Sequence, residues 1–204
     1  MEKSNKRFVC ILFILLALLF TGNPPVWSAN VTALSNPVKS DPGNNTSIPV
    51  FELPMPGSER EKSYLGLSGT GNFKIGQIKA QVLIIEVFSL YCPHCQRTAS
   101  QINELYQKIQ ERPDMKEKIK MIGIGVNNST YEVDSYRKRY KVPFPLIPDE
   151  NMEISKMLGV RGTPTFIGIK VNGKGTRKRF YFEEGGFQDT QQFLTEIIKL
   201  SGLK

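Results

Sequence analysis

The sequence predicts one three-layer α/β domain in which a mixed central sheet is covered by helices on both faces. Three observations carry this. Two short apolar runs, Val82–Phe88 and Ile119–Val126, are continuous and rich in β-branched residues, as strands buried on both faces require. Between them, Ile102, Leu105, Tyr106 and Ile109 recur at helical spacing. Toward the C-terminus, Asn172-Gly173 joins two extended segments as a two-residue hairpin turn, which brings an antiparallel pair into the same sheet.

The elements follow in order from Pro49. Val50-Phe51-Glu52-Leu53-Pro54 reads as a short edge segment and Phe73 to Ile78 as an alternating extended one. The central strand falls within Ala80 to Leu90. Cys92 then opens a helix that Pro113 stops. After the second buried strand, Ser129 or Thr130 caps a helix running to about Tyr140, and Pro143 to Ile147 is extended. Glu150 to Leu158 is a short helix ended by Gly159. Thr163 to Val171 and Arg177 to Glu183 form the hairpin, and Phe193, Ile197 and Ile198 form the apolar stripe of a closing helix.

With 204 residues, 40% apolar and 23% charged, the chain has room for one ordinary domain with short appendages. Residues 1–28 read as a signal peptide or N-terminal membrane anchor: Lys3, Lys6 and Arg7 precede an unbroken apolar run from Phe8 to Phe20. Those 13 residues fall short of the roughly 17–25 that a membrane-spanning helix needs, which favours a cleaved signal, with cutting after Ser28, over a tether through residues 8–20. Cys10 lies inside the run rather than at its end, where a lipid-attachment cysteine would stand. Residues 29–48, rich in Asn, Ser, Pro and Gly, read as a flexible linker, and residues 49–204 as the folded domain. Losing residues 1–28 removes three cations and one anion, lowering the formal charge from +8 to +6. The remaining basic clusters, such as Arg137-Lys138-Arg139, read as solvated faces, and nothing resembles a nucleic-acid module. Asn30, Asn44, Asn45, Asn127 and Asn128 match the N-glycosylation pattern, to which no function is assigned.

Processing leaves only Cys92 and Cys95, two thiols with Pro93 and His94 between them. A structural disulfide framework needs more cysteines. In a compartment where disulfides persist, a lone CxxC is a redox device. With His94 the sole histidine, a four-ligand zinc site cannot be assembled from soft ligands. The first cysteine, where a buried strand hands over to a helix, lies among unpaired N–H groups at the positive end of the helix dipole. Cysteines so placed ionise at roughly pH 3.5–7 instead of about 8.5, and the anion is the nucleophile. His94 adds a cation or donor in the same turn, and Cys95 can resolve a mixed disulfide from within the helix. Glu86 interrupts an otherwise apolar strand; alternation puts it on the side of Phe88, Leu90 and Cys92, so its carboxylate can point beneath the dithiol and exchange a proton with Cys95.

Taken together, Glu86, Phe88-Ser89-Leu90-Tyr91-Cys92-Pro93-His94-Cys95 and Gly162-Thr163-Pro164-Thr165 resemble the thioredoxin superfamily over about residues 50–200. The Cys-Pro-His-Cys tetrad is similar to that of the DsbA oxidases, but only 69 positions separate Cys95 from Pro164, too few for the helical insertion of that group. The arrangement resembles instead the TlpA and ResA group within the redoxin or AhpC/TSA class. Such proteins insert one helix and strand in the thioredoxin core and often open with a Phe-x-Leu-Pro segment like Phe51 to Pro54. The resemblance implies a thiol–disulfide oxidoreductase acting outside the cytoplasm, periplasmic or otherwise extracytoplasmic. Its partners would be protein thiol or disulfide substrates and a membrane-linked redox protein, and it would need no cofactor. It further implies that Cys92 attacks, Cys95 resolves, Glu86 is the buried acid, and Thr163 and Pro164 form a substrate-binding loop with a cis-proline. Tyr91 stands where the group usually carries Trp, and Pro93-His94 replaces the dipeptides of its reductases, so the direction of exchange stays open.

Two further activities belong to the wider fold family. A peroxiredoxin carries Pro-x-x-x-Thr-x-x-Cys, whereas Ser89 stands three positions before Cys92. A copper-binding assembly factor uses a wider cysteine spacing and a distant histidine, and this chain has neither.

Overall fold

A computed structural model describes residues 46–171 and 177–203 of the chain. Eight strands and five α-helices are seen there: β1 (Thr46–Ser47), β2 (Glu52–Pro54), α1 (Glu59–Leu65), β3 (Asn72–Lys74), β4 (Val82–Phe88), α2 (Pro93–Gln110), β5 (Ile119–Val126), α3 (Thr130–Tyr140), β6 (Leu146–Asp149), α4 (Glu153–Leu158), β7 (Thr165–Val171), β8 (Arg177–Glu184) and α5 (Thr190–Ser201). The main sheet runs β1-β8-β7-β4-β5-β6. β4 pairs parallel with β5 and antiparallel with β7, so the predicted mixed sheet is present with the apolar run at its centre.

Every residue of β4 is buried, which is why its sequence shows no alternation. One face packs Ile84 and Phe88 with Ile102 and Leu105 of α2, Val133 and Tyr136 of α3, and Phe193 and Ile197 of α5. The other packs Leu83, Ile85 and Val87 with Ile154 and Leu158 of α4 and with Leu53 and Phe73 of the β2–β3 ribbon. A Cβ on Gly125 would stand 2.7 Å from Val133 Cγ2, so the glycine lets α3 lie directly on β5 beside the C-terminal end of β4.

Several boundaries differ from expectation. Phe73 to Ile78 is not one strand: after β3 the chain tightens into a 3₁₀ turn at Ile75–Gln77, where the Gln77 side chain accepts from Lys74 N–H at 2.6 Å. That local bond competes with continued pairing. Helix α1 was not foreseen. Thr46 and Ser47, the first described residues, lie in the tract read as linker, yet they pair with Arg179 and Lys178 of β8. The Asn172-Gly173 turn and residues 1–28 lie outside the described residues. Among those described, no helix is long and apolar enough to cross a membrane.

The outer margin of the sheet at β6 is rich in proline. Pro145 turns its carbonyl inward to Gly123 N–H at 2.8 Å, Pro148 has no N–H to offer outward, and Arg137 donates to the carbonyls of Phe144 at 3.0 Å and Leu146 at 3.5 Å. Ser129 caps α3 as expected, in a reciprocal box in which Glu132 accepts from Ser129 N–H at 2.7 Å.

Candidate active site

The turn Ser89–Cys92 carries the chain from the end of β4 into α2. Cys92 is the N-cap of α2, with extended backbone (φ −86°, ψ 109°), and Pro93 occupies the first helical turn, where its missing N–H leaves nothing unsatisfied. The Cys92 sulfur takes the acceptor role that a Ser or Asp would fill at this position, receiving the Cys95 N–H at 3.2 Å. From across the site the carbonyl of Thr163 lies 3.3 Å from the same sulfur. Both thiols are unbridged; Cys92 is half-buried and Cys95 fully buried.

These surroundings pull the two thiols apart in acidity. Partial burial pushes Cys92 up, but hydrogen bonds with the Cys95 thiol, Thr163 and the backbone N–H groups of Cys95 and His94 outweigh it, leaving Cys92 below an ordinary thiol. Burial, reinforced by Cys92, holds Cys95 far above the usual range. One sulfur is available as the anion while the other stays protonated behind it.

Glu86 is 2% exposed, and its Oε1 has no hydrogen-bond partner. Burial first, then the charge of Cys92, pushes its carboxyl up to about 8. Its register partners are Phe166 on β7 and Gly123 on β5; the latter has no side chain to crowd it. The buried Tyr136 of α3 donates to Cys95 O at 3.0 Å and feels both Glu86 and Cys95 electrostatically.

Thr163-Pro164 is a cis peptide, and Pro164 O accepts from Gly185 N–H at 2.8 Å. Thr165 Oγ1 donates to Gly162 O at 2.6 Å, closing the loop that faces the dithiol. His94 lies on this side too: its Nε2 is 3.9 Å from where a Cβ on Gly186 would stand. His94 bears on the Cys92 sulfur through its backbone N–H. All seven residues singled out in the sequence, Glu86, Cys92, Pro93, His94, Cys95, Thr163 and Pro164, thus gather at one end of the sheet. Among the described residues no three of His, Cys, Asp and Glu converge closely enough to hold a metal ion.

Sequence reasoning missed the residues that hold this end in place. Asn128, entirely buried, accepts from Leu90 N–H at 2.8 Å; Gln96 donates to Leu90 O at 2.7 Å; and the Tyr91 hydroxyl donates to Glu132. Asn128 had shown itself only as a glycosylation-pattern match, since a polar residue following a strand does not announce its burial.

Fold and site define a class, the TlpA/ResA-like redoxins, which are thiol–disulfide oxidoreductases built on the thioredoxin fold. The chain belongs to the AhpC/TSA family, whose description matches residues 45–187. It is 22% identical over 129 residues to the thiol–disulfide oxidoreductase ResA of Halalkalibacterium halodurans, covering 63% of this chain and 67% of that one. It is 25% identical over 126 residues to ResA of Bacillus thuringiensis subsp. konkukian, covering 62% and 66%. The chain therefore spans about two thirds of the length of these relatives. Among solved structures, a DsbE-type thiol:disulfide interchange protein from Chlorobium tepidum superposes with a TM-score of 0.58 at 18% identity, covering 78% of this chain and 98% of that one. StoA from Bacillus subtilis gives 0.52 at 18%, covering 73% and 96%. At these identities the structures speak to the fold.

Proposed function

We propose that the chain exchanges disulfides with protein substrates outside the cytoplasm, through Cys92 and Cys95. The observation that carries this reading is the placement of the Cys92 sulfur as acceptor at the head of α2 with the protonated Cys95 thiol buried behind it. In the reductive direction the Cys92 thiolate attacks one sulfur of a substrate disulfide. A mixed disulfide forms, and the other substrate sulfur leaves as a thiolate that takes a proton from solvent. Cys95 then loses its proton to the ionised fraction of Glu86 and attacks the Cys92 sulfur. The substrate's second thiolate departs and the Cys92–Cys95 disulfide remains. Two electrons pass from the dithiol to the substrate, and the oxidative direction is the same sequence reversed.

A carboxyl titrating near 8 suits this work, because a base is most effective when its pKa lies close to the ambient pH. The loop Thr163–Pro164 forms the wall against which a substrate segment rests. The apolar run at residues 8–20 directs the chain to export, and a membrane-linked redox protein resets the dithiol after each turnover.

The test is catalysis of insulin reduction by dithiothreitol, alongside oxidation of a reduced, unfolded protein. Replacing Cys92 by Ser is expected to abolish both, and full activity in that variant would refute the reading. The potential of the couple assigns direction: about −120 mV marks an oxidase and about −270 mV a reductase.

A further inference from the structure

We infer that Asn128, at the junction of β5 and α3, is a positioning residue that sets the acidity of Cys92 by gripping the turn before it. The inference rests on the reading of Cys92 as the nucleophile. The sulfur gains its N–H donors only while Cys92 keeps the extended cap conformation, and that conformation is fixed from the preceding turn. Both main-chain polar groups of Leu90 are held by side chains. Its N–H donates to Asn128 Oδ1 at 2.8 Å and its carbonyl accepts from Gln96 Nε2 at 2.7 Å.

Asn128 is itself immobilised. It is fully buried, and its amide donates to Asn127 O at 2.9 Å and reaches Ser89 Oγ at 3.5 Å, using both ends of the side chain. Asn127, at φ 53°, turns the chain sharply so that this amide points back at the dithiol turn rather than out to solvent. Cys92 N–H closes the turn on Ser89 O at 3.1 Å. A second tie runs from the Tyr91 hydroxyl to Glu132, the residue that completes the capping box of α3. The β5–α3 junction and the first turn of α3 thus reach the nucleophile's turn at one point each, neither of which touches the reacting sulfurs.

Removing the Asn128 amide frees the Leu90 N–H in a half-buried site, and the turn relaxes to find another partner. The sulfur then drifts from the Cys95 and His94 N–H groups that hold its acidity. The ionisable groups around Cys92 are Cys95 and His94 of its own helix, Glu86 of β4 and Tyr136 of α3, all of which these variants leave intact.

The test is site-resolved alkylation of the fully reduced chain with iodoacetamide across pH, read by mass spectrometry, for wild type, Asn128→Ala, Gln96→Ala and Asp149→Ala. Asn128→Ala is expected to raise the Cys92 midpoint by about one pH unit, a roughly tenfold loss of thiolate at pH below the midpoint. Gln96→Ala, which removes the opposite grip and still informs if Asn128→Ala fails to fold, should shift it the same way by less. Asp149→Ala destabilises the same end of the sheet without touching the turn, and should leave the midpoint in place. An unmoved midpoint in every folded grip variant, or an equal shift in Asp149→Ala, overturns the inference. Alkylation reads the thiol whether or not the protein exchanges disulfides, so failure here is distinct from an active Cys92→Ser.

Discussion

Two carboxylates are buried at the same end of this sheet, on strands separated only by β5, and they are treated in opposite ways. Asp149, closing β6, is 4% exposed, and each of its oxygens receives a main-chain N–H, from Ile154 at 3.0 Å and Ser155 at 2.9 Å. It begins α4 from outside, doing what the helix's own cap, Met152 at φ 58°, cannot do with its thioether. Glu86, closer to the dithiol and no more exposed, is left with an oxygen unpartnered and titrates near 8. A buried carboxylate whose lone pairs are all used is a structural fastening. One left short of partners lowers stability at neutral pH, and the proposed exchange gives its proton a use.

The contrast can be broken most decisively by activity. Glu86→Gln is expected to slow turnover near pH 7–8 by about a hundredfold, the lower range for a lost proton-transfer group, and to remove the step near pH 8 from the pH–rate profile. Asp149→Ala, assayed below its melting temperature, should stay within about twofold of wild type. Equal losses in the two variants would erase the distinction.

Stability sharpens it next. The folded pKa of Glu86, about 8, lies above its ordinary value of 4.5, so the folded state holds a proton that the unfolded chain has released. Its contribution to stability is fully present below pH 4.5 and is lost progressively as pH rises through 8. Urea unfolding of wild type and Glu86→Gln should therefore diverge across that window, by on the order of 4 kcal/mol in favour of the glutamine. A pH-independent difference would place the Glu86 pKa near its ordinary value. Asp149→Ala leaves two N–H groups without acceptors and should cost about 3 kcal/mol by the same measurement. The smallest effect belongs to a cap far from either carboxylate. Asp189, which accepts from Gln192 N–H at 2.6 Å at the start of α5, should cost about 1 kcal/mol on replacement by Ala, with turnover unchanged.

Much of this end of the molecule is legible in the sequence alone. A glutamate that interrupts Val82–Phe88 is conspicuous because its neighbours are all apolar, and the Cys92–Cys95 pair follows directly where that strand hands over to a helix. Asp149 was not legible: it sits among Pro148, Glu150 and Asn151, where a carboxylate looks like ordinary loop polarity, and only the backward curl of α4 buries it. Helix α1 escaped notice although Ser58 and Glu61 carry the Ser-x-x-Glu pattern of a helix start, with Ser58 Oγ accepting from Glu61 N–H at 3.2 Å. Its seven residues bury little beyond Leu65, so no apolar period marks it. The grip of Asn128 and Gln96 on Leu90 joins positions 38 and 6 residues from it, the former a separation at which single-sequence patterns are silent.

The prolines along β6 bear on how this molecule meets others. With Pro148 unable to donate and Arg137 occupying the carbonyls of Phe144 and Leu146, that margin is a poor template for a further strand, and among the described residues the opposite one ends in the two residues of β1. Addition of a strand at the β6 margin is thereby discouraged even when the chain is crowded. In the proposed function a visiting polypeptide meets the chain at the rim where the sulfurs stand.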